Sequence, residues 1–231
     1  MSLSEISIPM KTDNTLSLEG IVHFIYAANK SQMSTRIHIF DCLESTNITA
    51  KEMSLSGAEH GTVILADSQT AGKGCRGKSF FSPQNHGLYM SFILDAERLP
   101  LNTPTLVTVF AAVAVCEAIE AITDKTPKVK WVNDIFQDGK KICGILTESV
   151  IGAQSHNIRN IVLGIGINFN TPKSDFPEEL QEIAGSLFEA QSPSVTRNHL
   201  AAEIINRVVY PYSQYNEKEL LDKYNQRLFS L

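Results

Sequence analysis

An α+β fold, with a central mixed or antiparallel sheet packed by helices, is what this sequence predicts. Three observations carry that expectation. Strand-like segments cluster between residues 62 and 168, helical patterns are few and lie mainly around them, and no regular strand–helix alternation runs along the chain. At 231 residues with 43% hydrophobic and 19% charged residues, the composition is ordinary for a globular chain with one main domain and a small annex. Residues 1–14 read as a disordered or tag-like polar start and 15–231 as the domain.

Leu16 to Ala28 carries apolar residues at helical spacing; Ser17 is a candidate cap, while Gly20 weakens propensity and stands where a capping-box acid would be. Arg36–Phe40 alternates as a strand, and Thr46–Ser54 reads as a helix ending near Gly57. Thr62–Ala66 and Leu88–Leu94 are strand candidates flanking a long glycine-containing basic loop from Asp67 to Gly87. Thr103-Pro104 opens a helix through Ile122, with proline where its missing N–H costs nothing, and the apolar residues nearly all round it predict burial. Lys128–Val132 is the next strand. Ile135–Gln137 and Lys140–Ile142 flank Asp138-Gly139, a favoured two-residue hairpin turn. Gly144–Val150 and Asn160–Asn168 continue the strand pattern, and the tail is helical from Thr196 to about Tyr210 and again from Lys218 to Leu228, interrupted at Pro211.

With 20 Lys+Arg against 25 Asp+Glu, the net charge of −5 argues against a chain built to coat nucleic acid. Cys42, Cys75, Cys116 and Cys143 are far apart, which predicts a reducing compartment without disulfides or a zinc site. The longest apolar run, Leu106 to Cys116, is short for a bilayer span and contains Thr108, and no secretory leader pattern opens the chain.

Gly72-Lys73-Gly74-Cys75-Arg76-Gly77 satisfies a dinucleotide-binding spacing, but the residues after it contain Pro83 and Gly87 and no helical period, so that fold is excluded on context. What remains is a loop whose glycines let backbone N–H groups approach an anion, with Lys73, Arg76 and Lys78 adding charge. A solvated surface loop is the plainer alternative. A second cationic segment, Lys125 to Lys141, holds five lysines against Asp134 and Asp138 and contains Lys130-Trp131-Val132-Asn133-Asp134. Two such segments in an acidic protein suggest a site for a phosphate-bearing ligand.

Four blocks together resemble the biotin–protein (biotin–acetyl-CoA-carboxylase) ligase family in order and spacing. They are Glu44-Ser45-Thr46-Asn47, the stretch from Asp67 to Gly77, Lys130 to Asp134 with Lys141-Ile142-Cys143-Gly144-Ile145-Leu146, and Gly164-Ile165-Gly166-Ile167-Asn168. The resemblance runs from the 30s to the C-terminus. It implies the biotin–lipoate ligase fold, which is like that of class II aminoacyl-tRNA synthetases, and a two-step reaction. Biotin and ATP form biotinyl-5′-AMP, which then acylates a lysine of a biotin carboxyl carrier domain; Mg²⁺ arrives on the ATP phosphates, with no metal site in the protein.

The resemblance assigns Lys141, Lys73 and Asn133 to catalysis. It assigns Ser45, Thr46, Asn47, Gln69, Gly72, Lys73, Gly74, Cys75, Arg76, Lys141 and Gly144 to biotin, and Lys78, Asn133, Asp134 and Asn168 to ATP. Plainer roles stand beside these: a helix N-cap for Ser45-Thr46, an edge-strand lysine for Lys141, a strand bulge at Gly144 and turn chemistry for Asn133 and Asn168. Trp131 and Tyr89 read as core or pocket wall. A cytoplasmic location, no membrane, no DNA reader and exposed strands open to a homodimer complete the expectation. An N-terminal winged helix and a C-terminal SH3-like domain, present in many relatives, are expected to be absent.

The family loop reads G-R-G-R-x-G-R-x-W. Here Lys73, Cys75, Lys78 and Phe80 stand at the three arginines and the tryptophan, so the loop is expected to hold its adenylate less tightly. Lipoate–protein ligases share the fold and the chemistry and form the competing reading, as does a non-catalytic sensor of biotin or its adenylate.

Overall fold

Residues 14–26, 36–98, 104–151, 158–188, 193–210 and 216–229 are described by the computed structural model. Among the described residues seven strands, Ile37–Leu43 (β1), Thr62–Gln69 (β2), Gly87–Asp95 (β3), Lys128–Lys130 (β4), Asp134–Gln137 (β5), Lys140–Ile151 (β6) and Ile158–Asn168 (β7), form one sheet. Their order is β1-β2-β3-β7-β6-β5-β4, with β1 parallel to β2 and every other pair antiparallel. The α-helices among the described residues are Leu18–Phe24 (α1), Thr46–Leu55 (α2), Pro104–Ile122 (α3), Arg197–Val208 (α4) and Glu217–Gln226 (α5). The mixed sheet packed by helices is the α+β class that the clustered strand patterns indicate.

Strand side chains alternate between faces, so each strand contributes to two layers. Leu88, Met90 and Phe92 of β3, Leu163, Ile165 and Ile167 of β7, and Cys143 and Ile145 of β6 join the larger core, into which α1, α3, α4 and α5 pack. The opposite parity carries Ile64, Ile93 and Val162 into a smaller cluster with Ala50 of α2. The large core therefore lies on one face. The other face, shared by α2 and the glycine loop, is left for polar and glycine residues toward the carboxyl end of β7.

Helix α3 is longer than the Leu106–Cys116 run suggests. It spans 19 residues with a mean hydropathy of 2.0, enough by length and composition to cross a bilayer. Its apolar residues from Val107 to Ile119 are buried in the larger core, which accounts for apolarity on nearly every side.

Most element boundaries shift by a few residues for identifiable reasons. Helix α1 stops at Phe24, with Ser17 Oγ accepting from Gly20 N at 3.1 Å; Ala28 lies outside the described residues, as do Thr103 and Pro211. Strand β2 continues through Asp67 and Ser68 to Gln69, because both polar side chains find partners: Asp67 pairs with Arg197, and Ser68 Oγ donates to Asp41 O at 3.1 Å. Lys140–Ile142 and Gly144–Val150, separate in the sequence pattern, are one strand, β6. β4 ends at Lys130, where the chain turns; its outer edge is covered by the tail, with Val129 N donating to Arg227 O at 2.7 Å and Phe229 N to Val129 O at 2.8 Å.

Arg197 at the start of α4 is fully buried. Its Nη1 lies 2.6 Å from Asp67 Oδ1 and 3.0 Å from Gly87 O, and its Nε donates to Asn14 O at 2.8 Å. Asp67 lies near the end of β2 and Gly87 opens β3, so one guanidinium ties together the two strands that flank the glycine loop. Asn14, placed in the polar start by sequence, is thus tied to the core; residues 1–13 lie outside the described residues.

Candidate active site

Gly144 on β6 and Gly166 on β7 are directly paired across the ladder and form a floor without side chains. The Phe80 ring rests on both: a Cβ added at Gly166 would lie 2.8 Å from the ring, and one added at Gly144 3.2 Å. Only glycine permits this approach. Phe80 is carried by the glycine loop, which folds back as a short hairpin, with Phe80 N donating to Gly72 O at 2.8 Å, Gly74 N to Lys78 O at 2.7 Å, and Lys73 facing Ser79. Arg76 turns the tip in the left-handed region at φ 56°.

Beside the floor, the first turn of α2 supplies a polar wall. Ser45, Thr46 and Asn47 are all buried. Ser45 holds the N-cap position, but its hydroxyl makes no capping hydrogen bond. Thr46 N donates to Gln69 Oε1 at 2.8 Å, Gln69 Nε2 donates to Ser82 Oγ at 2.8 Å, and Ser82 Oγ donates to Phe80 O at 2.9 Å. Ser91 Oγ lies 2.8 Å from Thr46 Oγ1 and 2.6 Å from Asn47 Oδ1. Asn47 Nδ2 donates to Glu148 Oε2 at 2.8 Å, and the other Glu148 oxygen pairs with Lys51. Burial opposes ionisation of Glu148, yet hydrogen bonds from Lys51 and Asn47 and the charges of Lys51 and Lys73 hold its carboxyl below the usual range.

On the other side of the floor, charged groups converge. Lys141 Nζ lies 2.7 Å from Asp134 Oδ1, and Asn133 Nδ2 donates to that same oxygen at 3.0 Å. Asn133 Nδ2 is also 3.3 Å from Cys75 Sγ, whose thiol donates to Ile145 O at 3.4 Å. The two cationic segments therefore meet, and the Lys141 ammonium is joined to the hairpin through Asp134, Asn133 and Cys75. Burial, and after it the Asp134 carboxylate, push the Cys75 thiol up, so it is neutral at pH 7, where the family pattern has a cation.

A bulge aims Lys141 at this site. Ile135 pairs with Cys143 and Phe136 with Lys141, so Ile142 is the extra residue, and both Ile142 and Cys143 are buried in the larger core. Two consecutive core-facing residues place Lys141 on the face of Gly144, and the site of an added Gly144 Cβ lies 3.5 Å from Lys141 Cε. The sequence pattern suggests a bulge at Gly144; the ladder places it two residues earlier.

Asn168 is buried and donates from Nδ2 to Gly185 O at 3.0 Å, while Gly185 N donates to Lys141 O at 3.0 Å. It thus fastens the 183–185 segment to the Lys141 strand. Lys73, Arg76 and Lys78 are exposed on the hairpin. Lys78 lines a cleft of 760 Å³ bounded also by Gly72, Phe80, Pro83, Pro177 and Leu180. Trp131 is 69% exposed with its ring against Tyr224, so it is not core; Tyr89 is buried, edge-on to Phe80.

Sequence reasoning missed Ser91, Glu148 and the use of Phe80 as a wall, and it quoted Gly164 and Gly166 in a motif block without assigning them a role. Strand parity carries part of the signal, because Gly144, Leu146 and Glu148 share one face of β6, and Gly164, Gly166 and Asn168 one face of β7.

A fold of this kind is found in solved biotin protein ligases. The Aquifex aeolicus biotin protein ligase in complex with biotin and ATP superposes with a TM-score of 0.72 at 27% identity, covering 85% of this chain and 79% of that one. The Leishmania major biotin protein ligase in complex with biotinyl-5-AMP shares the fold with a TM-score of 0.67 at 21% identity over 85% of this chain and 83% of that one. In sequence, the Bacillus subtilis bifunctional ligase/repressor BirA is 39% identical over 75% of this chain and 52% of its own length. The Mycobacterium tuberculosis biotin–[acetyl-CoA-carboxylase] ligase is 28% identical over 71% of this chain and 59% of its own. The chain spans about half the length of the curated relatives it matches. Residues 39–168 match the family described as biotin/lipoate A/B protein ligases, and the chain belongs to that family.

Proposed function

We propose that this domain is an ATP-dependent biotin–protein ligase that forms biotinyl-5′-AMP and transfers biotin to a lysine of a biotin carboxyl carrier domain of the acetyl-CoA carboxylase type. The observation that carries this reading is the Lys141 ammonium, linked to the hairpin through Asp134, Asn133 and Cys75 beside the glycine floor. The fused rings of biotin would lie against Gly144, Gly166 and Phe80, with the ureido group toward Thr46, Asn47 and Gln69. Its carboxylate would reach the Lys141 side, and ATP would enter from the Lys78 cleft.

In the first step a biotin carboxylate oxygen attacks the α-phosphorus and pyrophosphate leaves. Lys141 would offset the repulsion between the two anions, a contribution that grows as charge concentrates at the reacting atoms. In the second step an amine of the acceptor attacks the acyl carbon and AMP leaves with the electron pair of the broken bond. The hairpin over the floor would shield the mixed anhydride from water between the steps. The carboxylate nearest Lys141, Asp134, is engaged by Lys141 and Asn133, and no group of three metal-binding side chains occurs among the described residues. Magnesium would travel with the ATP phosphates as part of the substrate.

Biotin-dependent ATP–pyrophosphate exchange tests the reading, with lipoate as the competing acid. Exchange driven by biotin and not by lipoate is expected; the reverse pattern assigns the domain to lipoate. A further expectation concerns the floor. Gly166→Ala puts a methyl group 2.8 Å from the Phe80 ring and forces the ring off the floor. By calorimetry this should weaken biotin binding by about tenfold or more, with little change in Tm because the ring can swing outward. Unchanged affinity would show that the floor does not carry the ligand.

A further inference from the structure

We propose that Tyr224 is a positioning residue whose hydroxyl, carried on the tail helix α5, fixes the turn that presents Asn133 and Asp134 to Lys141. The catalytic part of this inference rests on the proposed ligase reading; the fixing of the turn does not.

The turn, residues 131–133, joins Lys130 at the end of β4 to Asp134 at the start of β5. Ladder pairing sets those two ends against each other. Asn133 is fastened to β6, its carbonyl accepting from Ile145 N at 2.9 Å and its Nδ2 donating to Ile145 O at 3.2 Å. Trp131 and Val132 lie outside both strands, so the ladder does not hold them. Their attachment comes from α5: the Tyr224 hydroxyl donates to Val132 O at 3.1 Å, and the Trp131 ring stands edge-on to the Tyr224 ring with centroids 5.9 Å apart.

Tyr224 is fully buried, and a buried hydroxyl without a partner is costly, so the bond to Val132 O is what its burial requires. Burial also pushes the phenol up to about 12, which keeps it a donor throughout the neutral range. The helix that carries it is clamped to α3. Lys223 Nζ lies 3.1 Å from Glu117 Oε1, and Arg227 donates from Nε and Nη2 to the two Glu120 oxygens at 3.2 and 2.7 Å. Because α3 runs through the larger core, the position of the hydroxyl is set from within that core.

From Val132 the constraint reaches the site through the next two residues. Asn133 Nδ2 bonds Asp134 Oδ1 and Cys75 Sγ, and Asp134 Oδ1 holds the Lys141 ammonium. A turn free to shift by about 1 Å would carry all three groups out of register, a displacement that can cost about a hundredfold in rate. The Thr46–Gln69–Ser82 wall is bonded within itself and to the hairpin, on the far side of the floor, so biotin affinity is spared.

Tyr224→Phe keeps the ring and removes only the donor. Its kcat for biotin-dependent ATP–pyrophosphate exchange should fall by about ten- to hundredfold, while biotin affinity measured by calorimetry stays within about twofold of the parent. Trp131 is the only tryptophan in the chain, so its fluorescence anisotropy reads the turn without any substrate, and it should fall in Tyr224→Phe. Arg227→Met serves as the control: it removes the bonds to Glu120 and leaves the hydroxyl in place, so it should lower Tm with kcat and Trp131 anisotropy close to the parent. The inference is overturned if Tyr224→Phe exchanges within about twofold of the parent, if its Trp131 anisotropy is unchanged, or if Arg227→Met loses as much rate. A parent protein without biotin-dependent exchange would instead overturn the function on which the catalytic part rests, and the anisotropy comparison would still decide whether Tyr224 fixes the turn.

Discussion

Replacing Lys141 with alanine is expected to lower biotin-dependent ATP–pyrophosphate exchange by about 10²–10³-fold, the usual cost of removing one preorganised charge stabiliser at a reacting oxygen. Stability should change by less than about 1 kcal/mol, because the Lys141–Asp134 pair is part-exposed and such pairs contribute little. Lys141→Arg keeps the charge on a bulkier planar group and should recover part of the rate. The decisive comparison is kcat against biotin affinity. A group that acts mainly as charge develops lowers kcat far more than it weakens binding. Exchange within threefold of the parent in Lys141→Ala would remove Lys141 from the chemistry.

Arg197→Met is expected to produce the largest loss of stability, about 3–5 kcal/mol, because it leaves the largely buried Asp67 carboxylate without its charged partner. In a domain of this size that corresponds to a fall in Tm of about 10 °C. Arg197→Lys should lie between, since one ammonium cannot reach Asp67, Gly87 and Asn14 with a planar fork. Arg197→Met/Asp67→Leu should recover much of the loss by removing the stranded charge. Thermal and chemical unfolding measure both. A loss below 1 kcal/mol in Arg197→Met would mean that the guanidinium is not what ties the two strands together.

Elements whose apolar period is long and regular were legible in the sequence: α3 and α4 start at or within a residue of where Pro104 and Thr196 indicate, β3 differs from its pattern by one residue at each end, and β7 starts two residues earlier and ends at Asn168 as its pattern does. Elements ended by tertiary partners were not. Asp67 reads as a loop residue until Arg197, 130 positions away, is placed beside it. The motif blocks carried most of the pocket, since Thr46, Gln69, Cys75, Asn133, Asp134 and Lys141 do fall into bonded contact around one floor. The polar residues behind them stayed hidden because Ser91 and Glu148 belong to strands that read as ordinary alternation. Only the ladder pairing shows that they meet Asn47. Arg76 and Lys78, prominent as charges in the loop, are exposed at its tip and side, where spacing alone could not place them.

The extra residue in β6 has a developmental meaning for the domain. Had the ladder run without it, period-two alternation would send the Lys141 ammonium into the greasy layer occupied by Ile142 and Cys143, where an isolated cation is prohibitively expensive. A single inserted position thus converts a strand that could only be scaffolding into one that delivers charge to the proposed site. Any natural or engineered shortening between Gly139 and Cys143 would therefore silence the domain while leaving its outline intact.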